Sequence, residues 1–220
     1  MIHLIENVGA FFSARKKFIP TEFKIRYINQ LMEVGYFAIN IGKFDSQHFQ
    51  FSDLEEVIKG IERKNSTRIF IETTDYQRLD NILQNEKISF TEISFSFFEK
   101  INFPSFPEKI VVNFDGEACF SNLEKCGQKS IKWLKFHQRN VGFSEKFVKQ
   151  FKNQFPEIKI ITNFYNPDFQ FFETNIKGYA GGISTEKMLT YLVAQKQKTQ
   201  IQTLALESAC NMARKIFSEF

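Results

Sequence analysis

The chain is poor in the residues that perform most protein chemistry: three histidines, three cysteines and one tryptophan occur in 220 residues. Cys119, Cys126 and Cys210 form no CxxC pair and leave an odd count, which argues against a disulfide framework and for a reducing compartment. No run of 18 apolar residues occurs, so no spanning helix is expected. Residues 1–12 are interrupted by Glu6 and offer no uninterrupted apolar region before a small-residue cleavage site, so a cytoplasmic setting is expected. The sequon Asn65-Ser66-Thr67 then carries no meaning, because glycosylation requires secretion. There is no large excess of one charge either: 29 Lys and Arg oppose 25 Asp and Glu, a net +4. The two signs are interspersed, which implies neither nucleic acid nor a membrane as partner. Arg15-Lys16-Lys17 reads as a solvated loop edge.

Phenylalanine is what the chain has in abundance, with 28 copies. Phe supplies apolar area and no polar handle, so runs such as Phe95-Ser96-Phe97-Phe98 and Phe169-Gln170-Phe171-Phe172 read as core.

Short apolar segments alternate with amphipathic ones. Strands are predicted at residues 2–5, 37–41, 68–71, 88–97, 110–114, 130–136 and 158–162. Helices are predicted from Pro20-Thr21-Glu22 to Gly35, from Ser52 to Ile61 with Glu55 completing a capping box, and from Asp75 to about Leu83. Further helices are predicted near residues 121–126 and at 144–155, 184–195 and 204–217. Seven or eight βα units in 220 residues imply a single domain, an α/β TIM (β/α)8-type barrel. Two connections break the pattern. Residues 98–109 hold two prolines and no helical period, so the fourth helix is expected to be missing or vestigial. About six residues separate the strand ending at Thr162 from the next apolar run, too few for the seventh helix. The last third is therefore expected to be distorted, with residues 169–176 irregular, antiparallel or unpaired, and closure of all eight strands is doubtful on this reading.

Phe18-Ile19-Pro20-Thr21-Glu22-Phe23-Lys24-Ile25, Tyr27-Ile28-Asn29-Gln30-Leu31 and Val34-Gly35 resemble the first helix of hydroxymethylglutaryl-CoA lyases of the Bacteroidetes type. Ile39-Asn40-Ile41-Gly42-Lys43-Phe44 is similar to their second strand and loop. Thr185-Glu186-Lys187-Met188-Leu189-Thr190-Tyr191, Leu206-Glu207-Ser208-Ala209 and Lys215-Ile216-Phe217 are similar to their C-terminal helices. The match is shortened, and residues 47–136 follow the family only loosely.

The resemblance implies an aldolase-like metallolyase barrel. Its divalent cation is bound by an Asp after the first strand, two His after the seventh and an Asn before the last helix, and acts as a Lewis acid; an Arg stabilises the enolate and a Cys serves acid–base work. Carried over residue by residue, that site is degenerate. The family's Glu-Cys-Pro-Arg-Asp reads Glu6-Asn7-Val8-Gly9-Ala10, so the Arg falls on Gly9 and the metal-binding Asp on Ala10, with Ser13 beyond. The His-x-His pair falls on Asn163-Phe164-Tyr165, and the Gly-Asn pair on Gly181-Gly182. The glycine-rich loop survives as Gly178-Tyr179-Ala180-Gly181 without its Cys. Asn40 and Lys43 stand where an acid and a small hydroxyl residue belong.

Without the family the reading is similar. His3 lies inside the first strand and reads as packing, whereas His137, following a strand, is a candidate base. Asp115 and Glu117 are the remaining candidate carboxylate pair. No metal and no other cofactor is expected. The resemblance thus implies a protein that has lost the cleavage reaction and binds a partner, an active barrel paralogue or a second copy, or else an acyl-CoA or small acid. The alternative is a repurposed carbon–carbon lyase or aldolase in which a lysine such as Lys43 forms a Schiff base.

Overall fold

In a computed structural model of the chain, residues 1–44, 48–62, 66–101, 106–114, 125–126, 129–136, 151–164, 169–178 and 182–220 are described. Eight parallel strands close a barrel in sequence order: β1 (His3–Asn7), β2 (Ala38–Phe44), β3 (Arg68–Thr73), β4 (Phe90–Ser94), β5 (Ile110–Phe114), β6 (Trp133–Phe136), β7 (Lys159–Thr162) and β8 (Phe171–Thr174). The expected TIM barrel is present.

Closure corrects one expectation. Residues 171–174 are neither antiparallel nor unpaired: β8 runs parallel to β1, from His3↔Phe171 to Glu6↔Thr174, and parallel to β7 through Ile161↔Phe171 and Thr162↔Phe172. The crossover occupies residues 163–170. Eight extended residues reach about 26 Å, roughly twice the ~13 Å length of a four-residue strand. Parallel crossovers usually take a dozen residues or more because they carry a helix; chain reach alone does not require that many. Among the described residues the β7–β8 seam is the shortest, with two register pairs, the fewest of any in the barrel.

Seven helices are described: α1 (Val8–Ser13), α2 (Thr21–Met32), α3 (Leu54–Gly60), α4 (Tyr76–Gln84), α5 (Phe95–Lys100), α6 (Thr185–Ala194) and α7 (Thr203–Glu219); residues 151–154 are helical as well. The fourth crossover helix is vestigial as expected, since α5 has only six residues. Residues 95–97 are not strand, because the Ser94 hydroxyl accepts a bond from the Phe97 amide at 3.2 Å and turns the chain into α5. The alternation of Phe and Ser there imitates a strand. The expected capping box on α3 is absent too. Ser52 follows a 3-10 turn and donates to the Phe49 carbonyl at 2.9 Å, so Asp53 takes the cap position. Asp53 is fixed instead by Thr21 and by an ion pair with buried Lys24, both at 2.6 Å. The helix α1 was not foreseen; it starts where the Asn7 side chain accepts from the Ala10 amide at 2.8 Å.

Strand alternation divides the core in two. Leu4, Ile39, Ile69, Val112, Leu134 and Phe172 face outward against the helices. Ile5, Ala38, Phe70, Phe90, Val111, Trp133, Ile161 and Phe171, one from each strand, fill the lower barrel interior. Trp133 packs against Phe90 at 4.9 Å and Phe171 at 5.0 Å between ring centres. His3 stacks on Phe171 at 4.9 Å beneath this plug, as its place in the first strand suggested. Burial, then the chain amino group, Arg68 and Lys159, lower its pKa.

Candidate functional site

Two residues beyond each member of the plug, the same strand face turns inward again, nearer the end of the barrel where this fold carries its chemistry. That step brings together Asn7, Asn40, Glu72, Glu92, Asn113, Lys135, Asn163 and Glu173. The apolar plug is thus overlaid by a polar layer.

Lys135 is the centre of that layer. Its side chain is 2% exposed, and its ammonium bonds Glu173 at 2.8 Å and Glu92 at 2.9 Å. Asn7 donates to Glu173 at 3.0 Å, Asn113 donates to Glu92, and Asn40 donates to Glu72 at 2.9 Å. Burial lowers the lysine's pKa, but the carboxylates of Glu173, Glu92 and Glu72 outweigh it and the net direction is upward. Burial raises Glu92 to about 8; Lys135 pulls it down, and Glu72 and Glu173 push it further up. One ammonium is bonded to two carboxyl groups with the charge of a third nearby, so a proton on Glu92 relieves their repulsion.

Positions that the resemblance assigns to the site lie beside this layer. Gly9, Ala10, Ser13 and Lys43 line one cleft of about 300 Å³ together with Gly42, His48, Phe51 and Glu72. His48 stacks on Phe49 and Phe51, and its Nδ1 is buried without a hydrogen-bond partner. Asn40 is buried under the cleft, its side-chain oxygen accepting from the Gly42 amide at 3.1 Å. Asn163 follows β7, and Gly182 lies in the loop before α6 with φ +76°, near Asn175. The structure therefore gathers the positions from the first two strands and leaves Asn163 and Gly182 outside that cleft. Tyr165, His137, Asp115 and Glu117 lie outside the described residues.

Gly9 explains why no arginine stands there. A Cβ on Gly9 would fall 2.5 Å from the Gly42 Cα and 2.7 Å from its nitrogen. Gly42 in turn has φ +129° and lies against the Phe51 ring, leaving no room for a side chain. Two backbones meet where the resemblance places a long cationic side chain.

The residues present do not fit the divalent cation that the resemblance implies. Gly9 and Gly182 offer no side chain and Ala10 only a methyl group, while Glu92 and Glu173 are already bound to an ammonium that would repel a second cation. Among the described residues no group of three His, Cys, Asp or Glu side chains is arranged to hold a metal ion.

Glu6, the residue of the first-strand motif that this chain shares with the family, has a structural place. It is 1% exposed and accepts from the Ile176 amide at 2.7 Å. Thr185 Oγ1 lies 2.9 Å from both Glu6 and Thr174. Burial raises the Glu6 pKa to about 8, against the pull of its hydrogen bonds. A raised carboxyl pKa contributes stability that is complete below the ordinary carboxyl range and is lost as pH rises through about 8. The thermal midpoint should therefore fall between mildly acidic and mildly basic pH, with Glu92 acting in the same sense. Glu6→Gln should remove about 3 kcal/mol of that dependence; an undiminished slope in the variant would refute this.

Four charged residues of the layer were missed in the sequence: Glu72, Glu92, Lys135 and Glu173. Their signal was present, since each stands two residues after a bulky apolar residue within a strand (Phe70, Phe90, Trp133, Phe171). That spacing places a charge on an inward face.

No protein-family model and no curated protein sequence matches the chain. Solved structures do. The hydroxymethylglutaryl-CoA lyase of Brucella melitensis superposes with a TM-score of 0.72 at 15% identity, over 99% of both chains. The lyase of Acinetobacter baumannii, in complex with coenzyme A and 3-methylmalate, gives 0.78 at 14% identity, over 99% of this chain and 92% of that one. The Bacillus subtilis lyase gives 0.69 at 16% identity, over 98% and 94%. The barrel expected from sequence is therefore the fold shared by these lyases, and the chain spans nearly their full length.

Proposed function

We propose that this chain is a hydroxymethylglutaryl-CoA lyase-like barrel that no longer cleaves carbon–carbon bonds and works by binding. The observation that carries this reading is the contact of Gly9 with the Gly42 backbone. An enolate needs a positive group fixed where charge develops, and the position that the resemblance assigns to that group has no room for one. What persists is a cleft of about 300 Å³ with Lys43, His48 and Ser13 on its wall. A cation, an imidazole and a hydroxyl suit a small carboxylic acid or the acyl end of a thioester. The coenzyme A and 3-methylmalate held by the Acinetobacter lyase are natural probes. Association with an active barrel of the same fold, or with a second copy, is the other form that a binding role takes.

Calorimetric titration with Mn²⁺, run beside a cleavage assay on hydroxymethylglutaryl-CoA, tests the loss of chemistry. No acetoacetate and no stoichiometric metal uptake are expected. Turnover would overturn the reading. Titration with 3-methylmalate and coenzyme A tests the cleft: binding weakened at least tenfold by Lys43→Met supports it, whereas binding indifferent to that change removes the cleft from the argument.

One observation favours a second reading. Lys43 lines the cleft with the Glu72 carboxylate; a lysine amine can form an imine with a carbonyl substrate, releasing water, and a carboxylate on the same wall can carry the accompanying proton transfers. Borohydride trapping that yields no adduct at Lys43 would close that route.

A further inference from the structure

The end of the barrel opposite the cleft carries a groove that the polar layer and the plug do not use. It lies at the seam between β7 and β8, whose pairing starts only at Ile161↔Phe171; residues 158–160 and 169–170 have no register partner across it. A cavity of about 710 Å³ opens between these two stretches, within the size range of small-molecule sites. Its floor is apolar, made by Ile160, Phe169 and Phe171, all buried. Its rim is basic: exposed Lys152 and Lys159 come from the β7 side and His3 from β1, with Glu157 the one acid of the lining. The Lys159 ammonium lies over the Trp133 ring at 4.7 Å from its centre. A ring face holds a cation without cancelling its charge. Arg68, which opens β3, lies over Phe37 at 4.4 Å in the same way. Burial, then the chain amino group, Arg68 and Lys159, hold the His3 imidazole below its usual range, so the field at this end of the barrel is positive.

We propose that this groove binds an amphiphilic carboxylate, an aryl or short-chain alkyl acid whose apolar body lies on Ile160, Phe169 and Phe171 and whose carboxylate pairs with Lys159. An apolar floor under a basic rim selects for both halves of such a molecule. A fully hydrated anion gains nothing from the floor, a neutral apolar molecule gains nothing from the lysine, and a cation is repelled. In this fold chemistry sits at the other end of the barrel, so the groove is a binding site and not a reaction centre. The inference goes beyond the loss of cleavage proposed above and uses none of the residues that line the cleft.

The test titrates the purified protein with phenylacetate and with hexanoate, following heat and the emission of Trp133. That residue is the chain's one tryptophan and stands 5.0 Å from the Phe171 ring and 4.7 Å from the Lys159 ammonium, so an acid that draws the lysine away changes its fluorescence. Saturable uptake accompanied by that change is expected. Lys159→Glu, an exchange at an exposed position, should weaken it about tenfold or more, the worth of one charge-assisted bond. Lys43→Met should leave the fluorescence titration as it was. Hexanol and inorganic phosphate, which supply the body or the charge alone, should bind about tenfold more weakly than the acids or worse. No saturable change in Trp133 emission with either acid would overturn the inference, as would a titration indifferent to Lys159→Glu. Phosphate binding as tightly as the acids would overturn the assigned ligand class. Acid uptake lost in Lys43→Met and kept in Lys159→Glu would overturn the inference and support the cleft of the proposed function. The reverse pattern would support the groove and count against the cleft.

Discussion

Lys135→Met should lower unfolding stability by about 3–5 kcal/mol, the range found when one partner of a buried ion pair is removed. Methionine fills a similar volume, so the loss does not come from a cavity. It comes from Glu92 and Glu173, which keep their burial and lose the cation 2.9 Å and 2.8 Å away. The loss should grow with pH, because Glu92, with its pKa raised to about 8, can stay protonated under mild acid and relieve the repulsion. The same logic predicts that Lys135→Met combined with Glu92→Gln and Glu173→Gln regains much of the deficit, since a cage without formal charge no longer needs a counter-ion. Urea unfolding at two pH values measures all of this. A single variant as stable as the wild type at both would mean that the cluster is solvated and the ion pairs weak.

Gly9→Ala should be costly for a different reason. The added methyl would lie 2.5 Å from the Gly42 Cα, where one backbone would have to move away from another. Overpacking costs about 1–3 kcal/mol when side chains can adjust, and here none is available to do so; a loss of at least about 3 kcal/mol is expected. Gly9→Arg, which would supply the cation that the resemblance places there, should give no soluble folded chain. Soluble yield and circular dichroism of the two variants read the result. A folded Gly9→Arg protein would show that α1 can lift away from β2, and would reopen the position to chemistry.

The reading of the seventh crossover shows how sequence reasoning can go wrong in this fold. The run after Thr162 is short, and the inference that it threatens closure fails, because β7 and β8 pair in parallel. Chain length limits the element between two strands. It does not by itself forbid their pairing when an extended connection is long enough to return. The α3 cap failed more locally, because Ser52 and Glu55 have the spacing of a box while Asp53 has the tertiary partners, Lys24 and Thr21. At residues 95–97 the Phe and Ser alternation of a strand lost to a single Ser94 cap.

The sequence by itself determined the class of this protein. Alternating apolar strands and amphipathic helices imply a barrel, and glycine and alanine at positions 9 and 10 carry no side chain that could ligate a metal. Composition and periodicity suffice there because they are local properties, written residue by residue. The polar cage and the Gly9–Gly42 contact belong to the tertiary structure. Glu92, Lys135 and Glu173 lie up to 81 positions apart, and the spacing that marks each as inward-facing does not show that they meet. Only closure of the barrel turns their strand faces toward one another, and only burial makes that charge balance matter.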